Sequence, residues 1–212
     1  MKNNYVILGP PGSGKGTQAE LLAEKLGVPH FSPGAIFREI EKQDTDFGRK
    51  IKQVIDSGGL VPDESVNEMV IKRLDEPDCE QGFILDGYPR DMIQIEFFEK
   101  HKEVKKVILV DVSEEECIRR ITARRVCSKC KEEFNTIYIK PKQEGICDKC
   151  GAELEHREDD KPEAVKIRFE KFHKDTKPVI EHYEKKGIIL RINGEQTVEK
   201  VFEEMVGELE KN

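Results

Sequence analysis

The most informative part of this sequence for the fold is the stretch Gly9-Pro10-Pro11-Gly12-Ser13-Gly14-Lys15-Gly16-Thr17. It follows a short apolar run, Tyr5–Leu8, and leads into an amphipathic segment that extends to about Leu26. A glycine-rich loop between a buried strand and a helix lets backbone N–H groups converge on an anion at the helix amino terminus. The spacing Gly-x4-Gly-Lys in this context predicts a phosphate-binding loop whose lysine lies against the β- and γ-phosphates of a nucleotide. Gly16 occupies the usual Ser/Thr position, and the hydroxyl group comes one residue later.

Outward from this loop, the apolar residues fall into short runs that are separated by amphipathic segments. Such runs predict buried strands, and strands that alternate with helices predict right-handed crossovers. We therefore expect the α/β class, a P-loop three-layer α/β/α fold with a five-stranded parallel sheet and two inserted mobile domains. The predicted strands are Tyr5–Leu8, Val28–Phe31, Phe83–Leu85, Val107–Val112 and Ile188–Ile192.

Two segments interrupt the alternation of strands and helices. Residues 32–61 carry two helical pieces and end in a glycine-containing stretch that is typical of a flexible boundary. Residues 125–160 are rich in Cys, Lys and Glu, contain β-like pieces such as Thr136–Ile139, and precede a long helix that Pro178 should kink or split. The predicted core comprises residues 1–31, 62–123 and 162–212, with insertions at 32–61 and 124–161.

The composition of the chain excludes several classes of protein. With 36 basic and 43 acidic residues among 212, the net charge of −7 argues against the broad basic surface of a general nucleic-acid binder. The longest aliphatic runs are far shorter than the roughly 18–20 residues that a membrane span needs. The amino terminus lacks the apolar region of a secretory signal. We therefore expect a cytoplasmic protein that binds neither nucleic acid nor membrane.

Four of the six cysteines have the spacing of a metal site. Cys127-x2-Cys130-x16-Cys147-x2-Cys150 falls within the pattern of a structural zinc site, in which four thiolates complete a tetrahedron with no open position. An insertion of about 35 residues buries too little apolar area to fold alone, so the metal would supply folding free energy. Iron or cobalt could occupy the same thiolate set, and free or disulfide-bonded cysteines are the alternative. Cys79 and Cys117 are predicted to pack as small apolar groups.

Arginines and one aspartate near predicted element ends suggest phosphate chemistry. Arginine guanidinium groups bind phosphate oxygens in a bidentate way, and a reaction that joins two polyanions must neutralise much negative charge. Asp86 ends a predicted strand beside the phosphate loop, where a carboxylate can orient the water shell of Mg²⁺. The alternative for Asp86 is a turn-forming residue before Gly87. The arginines at such positions are Arg38, Arg90, Arg120, Arg124, Arg157 and Arg168.

Three motifs together resemble the adenylate kinase family, and the resemblance covers essentially the whole chain. They are Gly-Pro-Pro-Gly-Ser-Gly-Lys-Gly-Thr-Gln at 9–18, Leu85-Asp86-Gly87-Tyr88-Pro89-Arg90, and Arg157-Glu158-Asp159-Asp160. The chain is most similar to the long form with a metal-binding lid. The resemblance implies reversible phosphoryl transfer between MgATP and AMP to give two ADP. It also implies a monomer, with an AMP-binding domain at 32–61 and a zinc-binding lid at 124–161.

The resemblance also implies roles for individual residues. The residues expected to be catalytic are Lys15, Asp86, Arg90, Arg124, Arg157 and Arg168. Those expected to bind ATP are Gly12, Ser13, Gly14, Lys15, Gly16, Thr17, Arg120, Arg124 and the backbone of Gly194. Those expected to bind AMP are Arg38, Leu60, Gly87, Arg90, Arg157 and Arg168, and Gln94 is expected to recognise the adenine. The metal ligands of the lid are Cys127, Cys130, Cys147 and Cys150.

The chain departs from the family pattern at the mouth of the predicted AMP domain. Members of the family usually have Ser-Thr-Gly-Asp there, whereas this chain has Ser32-Pro33-Gly34-Ala35. The substitution removes a hydroxyl that would contact AMP and a carboxylate expected near the metal water shell, which leaves Asp86 as the main carboxylate. Two alternatives therefore remain open: a nucleoside monophosphate kinase with another base preference, and a nucleotide-dependent module whose four-cysteine knuckle binds nucleic acid.

Overall fold

The computed structural model describes residues 2–41, 44–57, 59 and 61–211. Its strands are β1 (Asn3–Leu8), β2 (His30–Phe31), β3 (Gly82–Asp86), β4 (Lys106–Asp111), β5 (Arg124–Cys127), β6 (Glu133–Asn135), β7 (Leu154–Glu155) and β8 (Ile189–Asn193). Its helices are α1 (Lys15–Leu26), α2 (Pro33–Ile40), α3 (Asp46–Asp56), α4 (Asp63–Leu74), α5 (Met92–His101), α6 (Glu114–Ala123), α7 (Pro162–Lys171), α8 (Lys177–Lys185) and α9 (Val198–Lys211).

The main sheet has five parallel strands, as the sequence predicts, and the structure gives their order as β2-β3-β1-β4-β8. Central strand β1 pairs with β3 and β4, so that Val6 lies opposite both Leu85 and Val107. Alternate residues of the same strands enter separate cores on the two faces, because successive side chains of a strand point to opposite sides. The carboxyl ends of the parallel strands meet at one edge, where ligands bind in folds of this kind.

A second sheet of three antiparallel strands, in the order β6-β5-β7, forms within residues 124–155. The predicted β-like piece Thr136–Ile139 is wrong in position. The strand is Glu133–Asn135, and the residues after it turn back so that Ile139 pairs with Asn135. Asn135 favours this turn because its side-chain oxygen accepts hydrogen bonds from the backbone N–H groups of Ile137 and Tyr138.

The long carboxyl-terminal helix is interrupted, as Pro178 predicts, although the irregular segment lies before the proline. A π-helical turn, Phe172–Thr176, separates α7 from α8, and Pro178 lies in the first turn of α8. A proline is tolerated there because the first N–H groups of a helix need no intrahelical acceptor. Other differences are small: β2 is shorter than the predicted Val28–Phe31. Among the described residues, no helix is long and apolar enough to cross a bilayer.

Candidate active site

The glycine-rich loop connects β1 to α1 with its backbone wrapped around the start of the helix. Gly12 and Gly14 have φ angles of 82° and 84°, which glycine adopts without steric cost. Ser13 is buried, and its hydroxyl oxygen has no hydrogen-bond partner within the described residues. Lys15 begins α1, and its Nζ donates to the carbonyl of Pro10 at 3.2 Å. The loop therefore presents backbone N–H groups and one cation at a helix amino terminus, a site suited to phosphate.

Gly12→Ala should destabilise the protein more than an alanine at another left-handed glycine. A Cβ atom at Gly12 would lie 2.6 Å from the carbonyl oxygen of Cys117 and 2.7 Å from Ile121, whereas Gly27, with φ of 65°, has open space around its Cβ position. Gly27→Ala is the matched control, and it should cost about 1–2 kcal/mol from backbone strain. Gly12→Ala adds a steric clash and should cost at least about 3 kcal/mol. Urea unfolding of both variants measures this difference, and equal losses would contradict the close packing of loop and α6.

Half-buried Lys15 and buried Asp86 lie near enough at the loop for the charge of each to affect the other. Burial lowers the pKa of Lys15 to about 8, although the charge of Asp86 opposes this shift. Burial raises the pKa of Asp86, but His30 and Lys15 outweigh burial and leave it below its usual range. His30 Nε2 lies 3.8 Å from Asp86 Oδ2, and Asp86 Oδ1 has no hydrogen-bond partner within the described residues. An ionised, partly unsatisfied carboxylate thus lies beside Gly16.

Two predicted arginines are held by two adjacent, buried carboxylates. Arg124, at the start of β5, donates to both oxygens of Asp160, from Nε at 2.8 Å and from Nη2 at 2.5 Å. Arg168 on α7 donates to the carbonyl of Asp159 at 2.9 Å and to Asp160 at 3.2 Å. The Asp160 side chain is fully buried and Asp159 is 7% exposed, so these two acidic residues do not lie on a solvated surface. Burial raises the pKa of Asp160, but hydrogen bonding and charge from Arg124 bring it below its usual range.

The other predicted arginines approach the same region from separate elements. Arg90 donates from Nε to the carbonyl of Gly87 at 2.6 Å, and Arg157 forms an ion pair with Glu133. Burial, followed by the charge of Arg157, lowers the pKa of Arg38 to about 10. Across the described part of the chain, no carboxylate lies within 4 Å of the Arg38 guanidinium. The site therefore holds a half-buried cation without a direct counter-ion among the described residues, which favours an anionic ligand.

A connected cavity brings these groups together. One part is lined by Lys15, Arg38, Gly87, Arg90, Gln94 and Arg168, and the adjoining part by Gly16, Thr17, Arg38, Asp86 and Arg157. The cations that line it include Lys15, Arg38, Arg90, Arg157 and Arg168, with the carboxylates of Asp86, Glu133 and Asp159 among them. A cavity on which ammonium and guanidinium groups converge suits polyanionic ligands.

Arg120 links the phosphate loop to the far edge of the sheet. It donates to the carbonyl of Ser13 at 3.2 Å and to the carbonyl of Gly194 at 2.9 Å. A Cβ atom at Gly194 would lie 2.4 Å from Val112, so only glycine fits there. The guanidinium also lies over the ring of Tyr138, 5.6 Å from its centroid. These contacts place Arg120, Gly194 and the aromatic ring of residue 138 beside one another.

The four cysteines of the second sheet converge. Their sulfur atoms all lie within 4.8 Å of one another, with Cys127 and Cys150 at 3.4 Å and Cys130 and Cys147 at 3.5 Å. The Cys130 backbone N–H donates to the Cys127 sulfur at 3.4 Å, a contact that stabilises a thiolate. The spacing prediction of one metal site is therefore matched by the geometry. Four thiols leave no open ligand position and fit a structural metal.

The structure brings together most of the predicted site residues, but Leu60 lies outside the described residues. Of the arginines beside the predicted ones, Arg119 is exposed and Arg125 is half-buried. Sequence reasoning missed Asp63, His30, Glu116 and Tyr138 as parts of the site. Tyr138 donates from its hydroxyl to Glu116 at 2.5 Å, and the same carboxylate oxygen accepts from Arg120. No local pattern signals this contact, because Tyr138 lies between Ile137 and Ile139 and Glu116 is 22 positions away.

The fold and the site define a class of protein. A parallel sheet with a phosphate loop, a lysine and a buried carboxylate at that loop, and converging arginines are features of a P-loop phosphotransferase, in which positioning and cationic stabilisation supply most of the catalysis.

Comparison with known proteins identifies the family within this class. Residues 7–188 match the family model described as adenylate kinase. The chain is 48% identical to an adenylate kinase of Thermotoga petrophila over 95% of this chain and 94% of the relative. It is 46% identical to adenylate kinases of Archaeoglobus fulgidus, over 98% of both chains, and Acetivibrio thermocellus, over 96% of both. The chain belongs to the adenylate kinase family.

Proposed function

We propose that the chain catalyses reversible phosphoryl transfer from MgATP to AMP, giving two ADP. The observation that carries this proposal is a pair of adjoining cavities that share Arg38 and Asp159 and are lined by the phosphate loop, by Arg90, Arg157 and Arg168, and by Gln94. Adjoining cavities of this kind can hold two nucleotides with their phosphates toward each other. The family membership and the relatives named adenylate kinase support the same reaction.

ATP would bind on the side of the phosphate loop. The backbone N–H groups from Gly12 to Thr17 and the ammonium group of Lys15 are placed to bind the β- and γ-phosphates. Arg120 and the backbone of Gly194 would lie along the base and the adjacent phosphates, since both flank the loop on the side of β8. The carbonyl of Gly194 already accepts from Arg120, which fixes both groups relative to the loop.

AMP would bind at the other end of the cavity. Arg38 and Arg90 are the cations for its phosphate, and Gly34 and Gly87 leave room there because each Cβ position lies within 3.6 Å of an arginine nitrogen. Gln94 is 2% exposed and would read the base. Leu60, for which the resemblance implies an AMP contact, remains a prediction.

Arg124, Arg157 and Arg168 would stabilise the phosphoryl group during transfer. The transition state is loose and requires little covalent work from the protein, so fixed cations supply most of the stabilisation. In the ligand-free arrangement Asp159, Asp160 and Glu133 neutralise these arginines. No general base is required, because the accepting phosphate of AMP is already anionic at neutral pH.

The proposed function involves two metal ions, one that accompanies ATP and one held by the four cysteines. Mg²⁺ would arrive with ATP, where it neutralises phosphate charge, and Asp86 would orient its water shell through the buried oxygen that lacks a partner. Zinc is the metal that best fits the four thiolates at residues 127–150, and iron or cobalt is the alternative. We also propose that residues 32–61 form the AMP-binding domain, that residues 124–161 form a lid over ATP, and that the protein acts as a monomer.

A monophosphate panel tests the proposed function. The protein is mixed with ATP, Mg²⁺ and one of AMP, CMP, UMP or GMP, and ADP formation is followed. We expect turnover with AMP to exceed turnover with the other monophosphates. ADP formation with CMP or UMP but not with AMP would overturn the proposed acceptor and favour the alternative of another base preference.

ATP binding should take up a proton above pH 8. The unliganded pKa of Lys15 is about 8, and bound phosphates raise it because they favour the charged amine. ATP affinity should therefore weaken as pH rises above 8, approaching tenfold per pH unit. Calorimetry in two buffers of different ionisation enthalpy should give proton uptake near zero at pH 6.5 and approaching one at pH 9. Lys15→Arg is the control, since its guanidinium does not titrate; the same uptake in that variant would contradict the assignment.

A further inference from the structure

The amide of Gln94 has only one acceptable orientation in this structure. Its Oε1 accepts a hydrogen bond from the backbone N–H of Arg90 at 2.7 Å, and its Nε2 donates to Oδ1 of Asp63 at 2.7 Å. Exchanging the two ends of the amide would place an N–H group against the N–H of Arg90 and an oxygen against the carboxylate of Asp63. Both contacts would be repulsive, and water cannot relieve them because Gln94 is 2% exposed.

Asp63 is itself firmly placed. It is the first residue of α4, while Asp91 caps α5 by accepting from the backbone N–H of Gln94 at 2.8 Å. Burial and, after it, the negative charge of Asp63 raise the pKa of Asp91, which is consistent with two neighbouring carboxylates around one glutamine. The orientation of the amide is therefore determined by contacts from two helices and from the loop before α5.

An amide held in this way offers a directional pattern to a ligand. Oε1 retains one lone pair and Nε2 retains one N–H. Gln94 lines the cavity together with the apolar side chains of Phe37, Val61 and Val66, which suits a planar base. An acceptor beside a donor matches an amino group beside an unprotonated ring nitrogen, as in adenine. An oxo group beside a ring N–H, as in hypoxanthine, presents the reverse pattern.

We infer that Asp63 is a positioning residue that makes the acceptor site select 6-aminopurine over 6-oxopurine nucleoside monophosphates by fixing the orientation of Gln94. This inference rests on the proposed function, because it requires a monophosphate in this cavity. A 6-oxopurine could bind only if the amide turned over, which Asp63 and the N–H of Arg90 oppose together. A buried site that leaves polar groups mismatched rejects the wrong ligand strongly.

Asp63→Asn tests the inference, since an asparagine amide can donate or accept and so tolerates either orientation of Gln94. With ATP as donor, kcat/KM is measured for AMP and for IMP, which differ only at this edge of the base. We expect the ratio of AMP to IMP to fall at least about tenfold in Asp63→Asn. The matched control is Glu64→Gln, which removes the same charge from the exposed neighbouring residue and should change the ratio by less than about twofold.

The ratio separates positioning from structural damage, because partial unfolding lowers both values of kcat/KM equally. If Asp63→Asn does not fold, as judged by thermal unfolding, Asp63→Ala is measured in the same way, since water can then replace the carboxylate. An unchanged ratio in a folded variant would overturn the inference, as would equal use of AMP and IMP by the unaltered protein. Absence of turnover with AMP in the unaltered protein would instead overturn the proposed function.

Discussion

Lys15→Met should lower kcat/KM for ADP formation by about 10²–10³-fold, the range observed when one charged or hydrogen-bonding group is removed from a stabilised transition state. Lys15 is half-buried at the start of α1 near Asp86, and its Nζ donates a hydrogen bond to the carbonyl of Pro10. Methionine is of similar length and packs well, so the protein should remain folded. The effect therefore reports the loss of the cation at the phosphates.

Lys25→Met is the matched control for this prediction. Lys25 lies in the last turn of the same helix, its side chain is 45% exposed, and its Nζ lies 4.0 Å from Glu210. Its substitution should change kcat/KM by less than about twofold, because an exposed ion pair contributes little. Steady-state rates and the thermal unfolding midpoint are measured for both variants. Full turnover by folded Lys15→Met would be incompatible with the proposed use of the phosphate loop.

Loss of the four-cysteine metal should produce the largest change in stability. The buried cluster around the site consists of Cys127, Phe134 and Cys147, too small a core to order about 35 residues. Structural zinc sites bind with about 10–16 kcal/mol in isolated peptides, and that free energy stabilises the fold. Chelation or Cys130→Ser should therefore lower the unfolding midpoint strongly and speed hydrogen exchange in residues 124–155, with a much smaller change in the chemical step below the melting range.

Cys79→Ser provides the comparison, because this buried thiol lies outside the metal cluster. It bonds to Arg73 and should lower stability modestly, without changing the metal content or the response to a chelator. Metal content, unfolding midpoint and single-turnover rate are measured for each protein. A metal-free protein that stays folded but shows no turnover would mean that the metal is catalytic, and an unchanged midpoint would remove its structural role.

Local patterns predicted the parts of the fold that depend on local interactions. The phosphate loop was predictable because its glycines carry positive φ angles and its lysine starts the helix. The buried strands were predictable because both faces of a parallel sheet are covered, which requires continuous apolar runs. The predicted position of the strand now seen at Glu133–Asn135 was wrong because the prediction followed the apolar residues Ile137 and Ile139. These two residues are partly exposed on a turn.

Pairing between distant polar residues could not be predicted in this way. Arg124 and Asp160 are 36 positions apart, and Gln94 and Asp63 are 31 positions apart, and no periodicity relates such pairs. The sequence alone does not distinguish an Asp159-Asp160 pair that faces water from one that is buried against arginines. Burial against two guanidinium groups became visible only when β5, α7 and the turn before α7 were placed together.

The class of fold, the phosphate loop and the clustering of the four cysteines followed from the sequence alone, because each depends on residue type at short spacing. Only the tertiary structure decided which carboxylate neutralises which arginine, how Gln94 is oriented, and that Tyr138 lies against Arg120. Those choices depend on side-chain contacts between elements that are remote along the chain, where desolvation makes a correct partner favourable and a wrong one costly.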